Sequence, residues 1–303
     1  MNKIVFGPIT SRRFGQSLGI DLSPDTKQCN FDCIYCELKG AKPVDTIQNP
    51  PLVDEVITNV IEALKKYKDI DVITLTANGE PTLYPYMKEL IQKLHLIKKS
   101  SKLLILSNGA TVTSKETREI LKEIDIVKLS LDCVTERCFK KIDRPLKGLH
   151  VKDIIEGIKE FRKIYNKELV LEVLVVDGIN DKESEFENLR EVLKDIKPDR
   201  IDISTVDRPP AYDVKSVSIE RLKELASVLS TLPISLAYKR DYTEDKRDFT
   251  KNEILNMIDK RPQSFDDVNI SFSRESIMLL NQLVKDGLLY VKDVAGVNFY
   301  KLS

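Results

Sequence analysis

The sequence predicts an α/β fold: a partial (β/α)6 TIM-type barrel followed by a small C-terminal winged-helix-like domain. Short apolar segments typical of strands alternate with amphipathic helical patterns up to about residue 232. Six such strands are recognisable, fewer than the eight of a complete barrel. From about residue 248 the pattern changes to two helices and a hairpin. We therefore expect a barrel domain over residues 1–240 and a second domain over residues 248–303.

The predicted strands carry apolar runs such as IDVITLT and LVLEVLVV. In chain order they cover residues 17–22, 70–76, 102–107, 126–131, 169–176 and 200–206. The helical patterns after them cover residues 53–67, 86–97, 114–124, 151–165, 184–196 and 219–232, with Ser114 as an expected N-cap. This alternation predicts parallel βαβ units with helices packed outside. An open doubly wound sheet would produce the same pattern, and periodicity does not separate the two.

The C-terminal segment has the outline of two helices and a two-stranded wing. Helical patterns cover residues 251–259 and 274–286, and Gly287 follows the second helix as a C′ glycine. Strand patterns over residues 288–291 and 297–302 flank Ala295-Gly296, which is a hairpin signal. This order of elements predicts a winged-helix-like domain.

The charge balance argues against a nucleic-acid partner. The whole chain has 48 Lys plus Arg and 48 Asp plus Glu, so its formal net charge is zero. Between residues 248 and 303 we count seven Lys or Arg and eight Asp or Glu. A DNA-reading module should be clearly basic. We expect the C-terminal domain to contact the barrel, a protein substrate or a second subunit instead.

Hydropathy and cysteine usage predict a reducing, cytoplasmic setting. No run approaches 18 apolar residues, so we expect no membrane span, and the N-terminal stretch lacks the apolar core of a signal peptide. Three of the five cysteines lie within eight positions of one another. Without a secretion signal, such a cluster indicates metal binding rather than a disulfide framework.

Cys29, Cys33 and Cys36 form a C-x3-C-x2-C loop after the first predicted strand. Three thiolates can hold three irons of a [4Fe-4S] cubane and leave the fourth iron without a protein ligand. That iron can chelate the amino and carboxylate groups of S-adenosylmethionine (SAM). An electron passed to the sulfonium then breaks the S–C bond homolytically, giving methionine and a 5′-deoxyadenosyl radical. The alternative, a structural zinc site, usually has four ligands, and both histidines lie far along the chain.

Further landmarks resemble the radical SAM superfamily. Tyr35 is the aromatic residue that usually precedes the third cysteine there, and the Asn78–Pro81 turn resembles the GGEP motif, with Asn for the first Gly. The resemblance implies that this turn engages the SAM amino group and that the ends of the third and fourth strands place polar groups near SAM. The implied cofactor-binding residues are Tyr35, Asn78, Gly79, Glu80, Ser107, Asn108, Ser130 and Asp132. It also implies an electron donor such as flavodoxin or ferredoxin.

The segment from GPITSRRFG to the cysteine loop, and Asp207-Arg208-Pro209-Pro210, resemble more closely the wyosine-synthase-like subgroup. The wyosine synthase that acts on tRNA binds a second cluster through cysteines upstream of the SAM motif, and no cysteine precedes Cys29 here. We therefore expect a SAM-cleaving enzyme that abstracts hydrogen from an unidentified substrate. The alternatives are a tRNA-modifying enzyme and a cluster-based redox-sensing regulator.

Two residues are candidates for a direct role with the substrate. Cys133, just past a strand end, could face the cavity as a hydrogen-atom donor or radical relay, or it could be a small buried hydrophobe. Arg208 follows the sixth strand and could bind a substrate carboxylate or phosphate bidentately. Its alternative role is a loop salt bridge with Asp207 or Asp213.

Overall fold

The barrel is built on one eight-stranded sheet in which every strand neighbours the next one in sequence. The computed structural model describes residues 4–11, 13–236, 246–294 and 297–303. The strands are β1 Val5–Ser11, β2 Gly15–Asp21, β3 Val72–Thr76, β4 Lys102–Ser107, β5 Ile126–Ser130, β6 Glu168–Val175, β7 Arg200–Thr205 and β8 Ile234–Leu236. β1 is antiparallel to β2, and β2 to β8 run parallel. The predicted α/β fold of the partial TIM type is confirmed.

The helices of the barrel connect these parallel strands. They are α1 Val53–Lys66, α2 Met87–Ile97, α3 Lys115–Leu121, α4 Glu136–Ile142, α5 Val151–Ile164, α6 Glu183–Ile196 and α7 Ile219–Val228, with 3-10 turns at Pro81–Leu83 and Ala110–Thr113. Ser114 caps α3 as predicted, because its side chain accepts a hydrogen bond from the Thr117 N–H. None of the helices in the described part of the chain is long and apolar enough to cross a membrane.

All six predicted strands are present, but β1 and β8 were missed. β1 contains Gly7-Pro8, which is a turn signal in sequence, and its pairing with β2 is irregular between Phe6 and Ile9. β8 has only three residues, too few for a periodic pattern. The sheet therefore has seven parallel strands where the sequence predicted six.

The parallel strands bury different side chains on their two faces. Outward-facing residues such as Ile73, Leu103 and Val127 are fully buried in the core that also includes the helices. The alternating residues, among them Thr74 and Lys128, face a central cavity instead. The lumen of the barrel therefore contains polar and charged side chains, while the layer between sheet and helices is apolar.

The C-terminal region packs against β1. It contains α8 Lys251–Lys260, β9 Gln263–Ser264, α9 Phe265–Ser271, α10 Arg274–Lys285, β10 Leu289–Val294 and β11 Val297–Leu302, with the strands in the order β10–β11–β9. Ile254, Phe272 and Leu280 form its core together with Ile9 of β1. Its winged-helix identity and the proposed domain limits remain predictions. The expected turn at residues 295–296 and the barrel limit at residue 240 lie outside the described residues.

Candidate functional site

The cysteine loop is fixed by main-chain hydrogen bonds at both ends. Cys29 O accepts from Val44 N at 2.8 Å, and Cys36 O accepts from Ala211 N at 2.8 Å. Within the loop, Cys36 N donates to Cys33 O at 3.1 Å. The three cysteines are half-buried and free of disulfides, so their sulfurs are available as ligands.

The Asn78–Pro81 turn is bonded directly to the residue before Cys29. Gln28 N donates to Asn78 O at 2.8 Å, and Glu80 N donates to Gln28 O at 2.9 Å. Gly79 lies between them with φ +138°, and a Cβ there would come within 1.8 Å of Gln28 O. Glycine is required at this position because no side chain fits between the two segments.

Glu80 connects this turn to the end of β4. Its Oε1 accepts from Thr82 N at 3.0 Å, Thr82 Oγ1 at 2.6 Å and Ser107 Oγ at 2.8 Å, and its Oε2 accepts from Asn108 N at 2.8 Å. Burial raises the pKa of Glu80, and these four hydrogen bonds act in the opposite direction. The Glu80 carboxylate thus contacts two other predicted site residues, Ser107 through its hydroxyl and Asn108 through its backbone N–H.

Asn108 extends the same network to the cysteine loop. Its Nδ2 donates to Asn30 Oδ1 at 2.6 Å and lies 3.6 Å from Cys29 Sγ. Its Oδ1 accepts from Ala110 N at 3.0 Å. The end of β4 is therefore held against the first cysteine.

Tyr35 of the cysteine loop and Asp132 form a second hydrogen-bonded group. Tyr35 OH donates to Asp132 Oδ2 at 2.5 Å, and Leu174 N donates to Asp132 Oδ1 at 2.7 Å. Burial raises the pKa of Asp132 to about 7. Ser130 is half-buried and lines a small space with Asn108 and Asp132. The predicted residues thus form two hydrogen-bonded groups, and Asn108 of the first lines the same small space as Asp132 of the second.

A cavity of about 470 Å³ lies inside the barrel. Tyr35, Cys36 and Asn78 border it on the side of the cysteine loop, and Thr74 and Leu174 line it further along the strands. The C-terminal region also lines it, through Lys260 and Arg261. Two of the predicted cofactor-binding residues, Tyr35 and Asn78, therefore border the same cavity as the third cysteine.

A cluster of charged side chains in this lumen was not predicted from the sequence. Lys128 Nζ lies 2.7 Å from Glu172 Oε1 and 3.5 Å from Asp202 Oδ2, and Arg13 Nε lies 3.1 Å from Asp202 Oδ2. A parallel strand buried on both faces normally reads as a continuous apolar run. Lys128 in IVKLSL, Glu172 in LVLEVLVV and Asp202 in RIDISTV interrupt such runs. That interruption was the signal that could have identified them.

Arg208 lines the cavity and is only 7% exposed. Its Nη1 donates to Pro262 O at 2.6 Å, and its Nε lies 3.5 Å from Glu37 Oε1. The salt bridge expected with Asp207 is present at 4.0 Å, and Nη2 lies 3.9 Å from Asp267 Oδ2. Arg208 therefore connects the β7 loop to the C-terminal region, a contact that the sequence analysis did not foresee.

The position of Cys133 does not fit the expected role of a hydrogen-atom donor in the cavity. It is 1% exposed, forms a disulfide with Cys138 in α4 and lines the small space beside Asp132 and Asp143 rather than the large cavity. A hydrogen-atom donor would need an unbonded thiol facing the substrate. The buried alternative describes its position better.

The cysteine loop fits an iron–sulfur cubane better than a single zinc ion. Among the residues that the structure describes, no group of three or more His, Cys, Asp or Glu side chains is arranged to hold one ion. A cubane instead distributes its thiolates over separate irons. Burial raises the pKa of all three thiols, that of Cys29 to about 12, and the positive charge of a bound metal would favour their thiolate forms.

The chain is similar to known proteins both in sequence and in fold. The profile of the radical SAM superfamily matches residues 23–193. A UPF0026 protein from Helicobacter pylori is 40% identical, over 98% of this chain and 97% of its own length. A radical SAM methyltransferase from Sphaerobacter thermophilus has a similar fold, with 15% identity, a TM-score of 0.59 and coverage of 74% of this chain and 66% of its own. TYW1 with a lysine–pyruvate adduct bound gives 20% identity, a TM-score of 0.53 and coverage of 71% and 73%.

Members of this superfamily typically use a [4Fe-4S] cluster together with SAM. The solved structures are too distant in sequence to indicate more than the fold, whereas the family profile covers the cysteine loop and the four strands β3 to β6. Because that match spans more than half of the chain, this protein belongs to the radical SAM superfamily and is an enzyme of that class.

Proposed function

We propose that Cys29, Cys33 and Cys36 hold a [4Fe-4S] cluster at which SAM is bound, and that the enzyme abstracts a hydrogen atom from a polar substrate in the barrel lumen. The bound cluster would supply the electron that splits SAM into methionine and the 5′-deoxyadenosyl radical. The observation that carries the proposal is the continuity of three parts: free thiols, the Asn78–Pro81 turn bonded to Gln28, and the cavity bordered by both.

The protein's own contribution is orientation and exclusion of water. Glu80 holds Ser107 and the Asn108 backbone, and Asn108 in turn contacts the cysteine loop. Asp132 accepts a hydrogen bond from the Tyr35 hydroxyl and so orients that side chain. In this proposal, Asn78 faces SAM from the cavity wall, and Tyr35 covers the third cysteine.

The lumen favours a substrate with polar groups. Lys128 and Glu172 line the cavity as a close ion pair, and Arg13 lies 3.7 Å from Glu172 Oε1. Arg13 Nη2 is buried without a hydrogen-bond partner among the described residues. An unsatisfied buried donor is costly, so an acceptor on the substrate would stabilise the complex. Phe14, Leu104 and other apolar side chains would surround the rest of the molecule.

Isotope transfer tests the proposal. Reconstituted, reduced enzyme and SAM would be incubated anaerobically with an extract from cells grown in deuterated medium, and 5′-deoxyadenosine analysed by mass spectrometry. We expect deuterium in the 5′-deoxyadenosine. Lys128→Met should abolish this transfer and leave slow uncoupled SAM cleavage. The control variant Lys163→Met, whose side chain is exposed on α5, should behave as wild type. An extract-independent product without deuterium in the wild type would contradict hydrogen abstraction from a substrate.

The electron would come from a low-potential protein such as flavodoxin or ferredoxin, in a reducing cytoplasm. Half-burial of the three cysteines is consistent with delivery at the surface of the loop. The charge of the C-terminal region does not favour the two nucleic-acid alternatives, tRNA modification and DNA-binding regulation. Its seven Lys or Arg are balanced by eight Asp or Glu, whereas nucleic-acid binding favours a clearly basic domain.

A further inference from the structure

We propose that Lys260, at the C-terminal end of α8, is a positioning residue for the SAM site. It would act through Asp21 at the end of β2, which holds the Asn78–Pro81 turn. The inference rests on the proposed function, because it assigns SAM to that turn. It implies that the C-terminal region contributes a residue that positions the cofactor site.

The first step is a buried ion pair between the two regions. Lys260 Nζ lies 2.7 Å from Asp21 Oδ2, and the side chains are 5% and 1% exposed. Lys260 Nζ also donates to Pro24 O at 3.0 Å, in the loop that leads to the cysteines. A pair that is removed from water in this way interacts strongly, and loss of one partner leaves an uncompensated buried charge.

Asp21 is also hydrogen-bonded to the Asn78–Pro81 turn, to which the proposed function assigns SAM. Asp21 Oδ1 accepts from Asn78 N at 2.7 Å and from Ser23 N at 2.9 Å. Asn78 O accepts from Gln28 N at 2.8 Å, and Gln28 precedes the first cysteine. The Asp21 carboxylate therefore pairs with the Lys260 ammonium through Oδ2 and accepts a hydrogen bond from the backbone of the Asn78–Pro81 turn through Oδ1.

The position of α8 is fixed independently of this pair. Asn256 Nδ2 donates to Val5 O at 3.3 Å, and Ile254 and Ile258 share a core with Ile9 of β1. Lys260 is thus presented to Asp21 from a helix that is already docked on the barrel. Loss of its charge should disturb the Asp21 carboxylate and the Asn78 backbone more than the docking itself.

Binding of SAM to anaerobically reconstituted enzyme, measured by equilibrium dialysis, tests this inference. Lys260→Met should weaken SAM binding by about tenfold or more, with iron content and cluster absorption unchanged, because the disturbed groups lie outside the cysteine loop. Lys260→Arg, which keeps the charge, should recover most of the affinity. Lys251→Met, at the exposed start of the same helix, should have no effect.

A double-mutant cycle separates positioning from simple stabilisation. Asp21→Asn alone should also weaken SAM binding, and its combination with Lys260→Met should cost less than the product of the two single effects, because both act through one pair. Asp21→Asn keeps the side-chain shape and therefore tests the inference even where Lys260→Met folds poorly.

The outcomes are distinguishable. Wild-type enzyme that holds its cluster and binds SAM, together with a Lys260→Met variant of equal SAM affinity, would overturn the inference and leave the proposed function standing. Additive effects in the cycle would overturn it as well. Wild-type enzyme that holds no cluster or binds no SAM would overturn the proposed function, and the inference with it.

Discussion

The barrel and the C-terminal region line the same cavity but are joined to the site by different kinds of contact. On the barrel side, the Asn78–Pro81 turn and the cysteine loop are bonded through the main chain, between Gln28, Asn78 and Glu80. The C-terminal region reaches the site through charged side chains, Lys260 to Asp21 and Asp267 to Arg208. Main-chain pairing depends on local sequence and leaves a recognisable motif, whereas ion pairs between distant segments do not.

The largest expected effect lies on the barrel side. Cys29→Ala, Cys33→Ala and Cys36→Ala should each reduce bound iron from about four per chain to background, because three grouped thiolates are the minimum for this cluster. Cys138→Ala, in the buried disulfide of α4, is the matched control and should retain its iron. Iron and sulfide analysis after anaerobic reconstitution measures the difference. Equal iron content in control and loop variants would place the cluster elsewhere.

A smaller effect is expected at Glu80, which acts within the barrel alone. Glu80→Gln keeps the shape but loses acceptor capacity for the hydrogen bonds from Thr82, Ser107 and Asn108. We expect SAM binding to weaken by about tenfold, equivalent to about 1.4 kcal/mol, with the cluster intact. Glu89→Gln on exposed α2 is the control. Loss of iron in Glu80→Gln would mean that this carboxylate supports the cysteine loop rather than SAM.

The third effect concerns two buried carboxylates with different partners. Asp21 is paired with an ammonium, whereas Asp132 is held by the Tyr35 phenol and the Leu174 N–H. Burial raises the pKa of Asp132 to about 7 from 3.8. The folded state therefore binds more protons than the unfolded state between these values, so the free energy of unfolding should fall as pH rises through this window.

Asp132→Asn should flatten that pH dependence. The expected change is at most about 4 kcal/mol across the window, since one pH unit corresponds to about 1.36 kcal/mol per proton. Urea denaturation of the metal-free protein at several pH values measures it, and Asp153→Asn on exposed α5 is the control. A variant with the same slope as wild type would contradict the assignment of this pH dependence to Asp132.

The parts of the site that are local in sequence were predictable. The cysteine spacing, the glycine at residue 79 and the strand ends at Ser107 and Ser130 all lie where the sequence indicates, because each depends on a short segment. The main role of Glu80 in the structure, as an acceptor for Ser107 and Asn108, depends on the approach of two loops and was not predictable from the motif.

The non-local parts were missed for physical reasons. Whether Lys128 faces the lumen or the helices depends on which face of β5 turns inward, and the sequence was read for apolar runs rather than for their interruptions. Lys260 and Asp21 form an ion pair although they are 239 positions apart in the chain, and patterns in a single sequence do not predict such a pair. The disulfide between Cys133 and Cys138 spans only five positions, but its formation still depends on how α4 packs after β5.

The central claim is that this enzyme cleaves SAM at a cluster on the cysteine loop, and product analysis of the reduced protein tests it most directly. Anaerobically reconstituted enzyme should hold about four irons and four sulfides and absorb near ~400 nm, as expected of a cubane. With dithionite and SAM it should release 5′-deoxyadenosine and methionine in equal amounts, slowly and without substrate, while Cys33→Ala should release neither. A stable zinc-containing protein that takes up no iron and forms no 5′-deoxyadenosine would contradict the account.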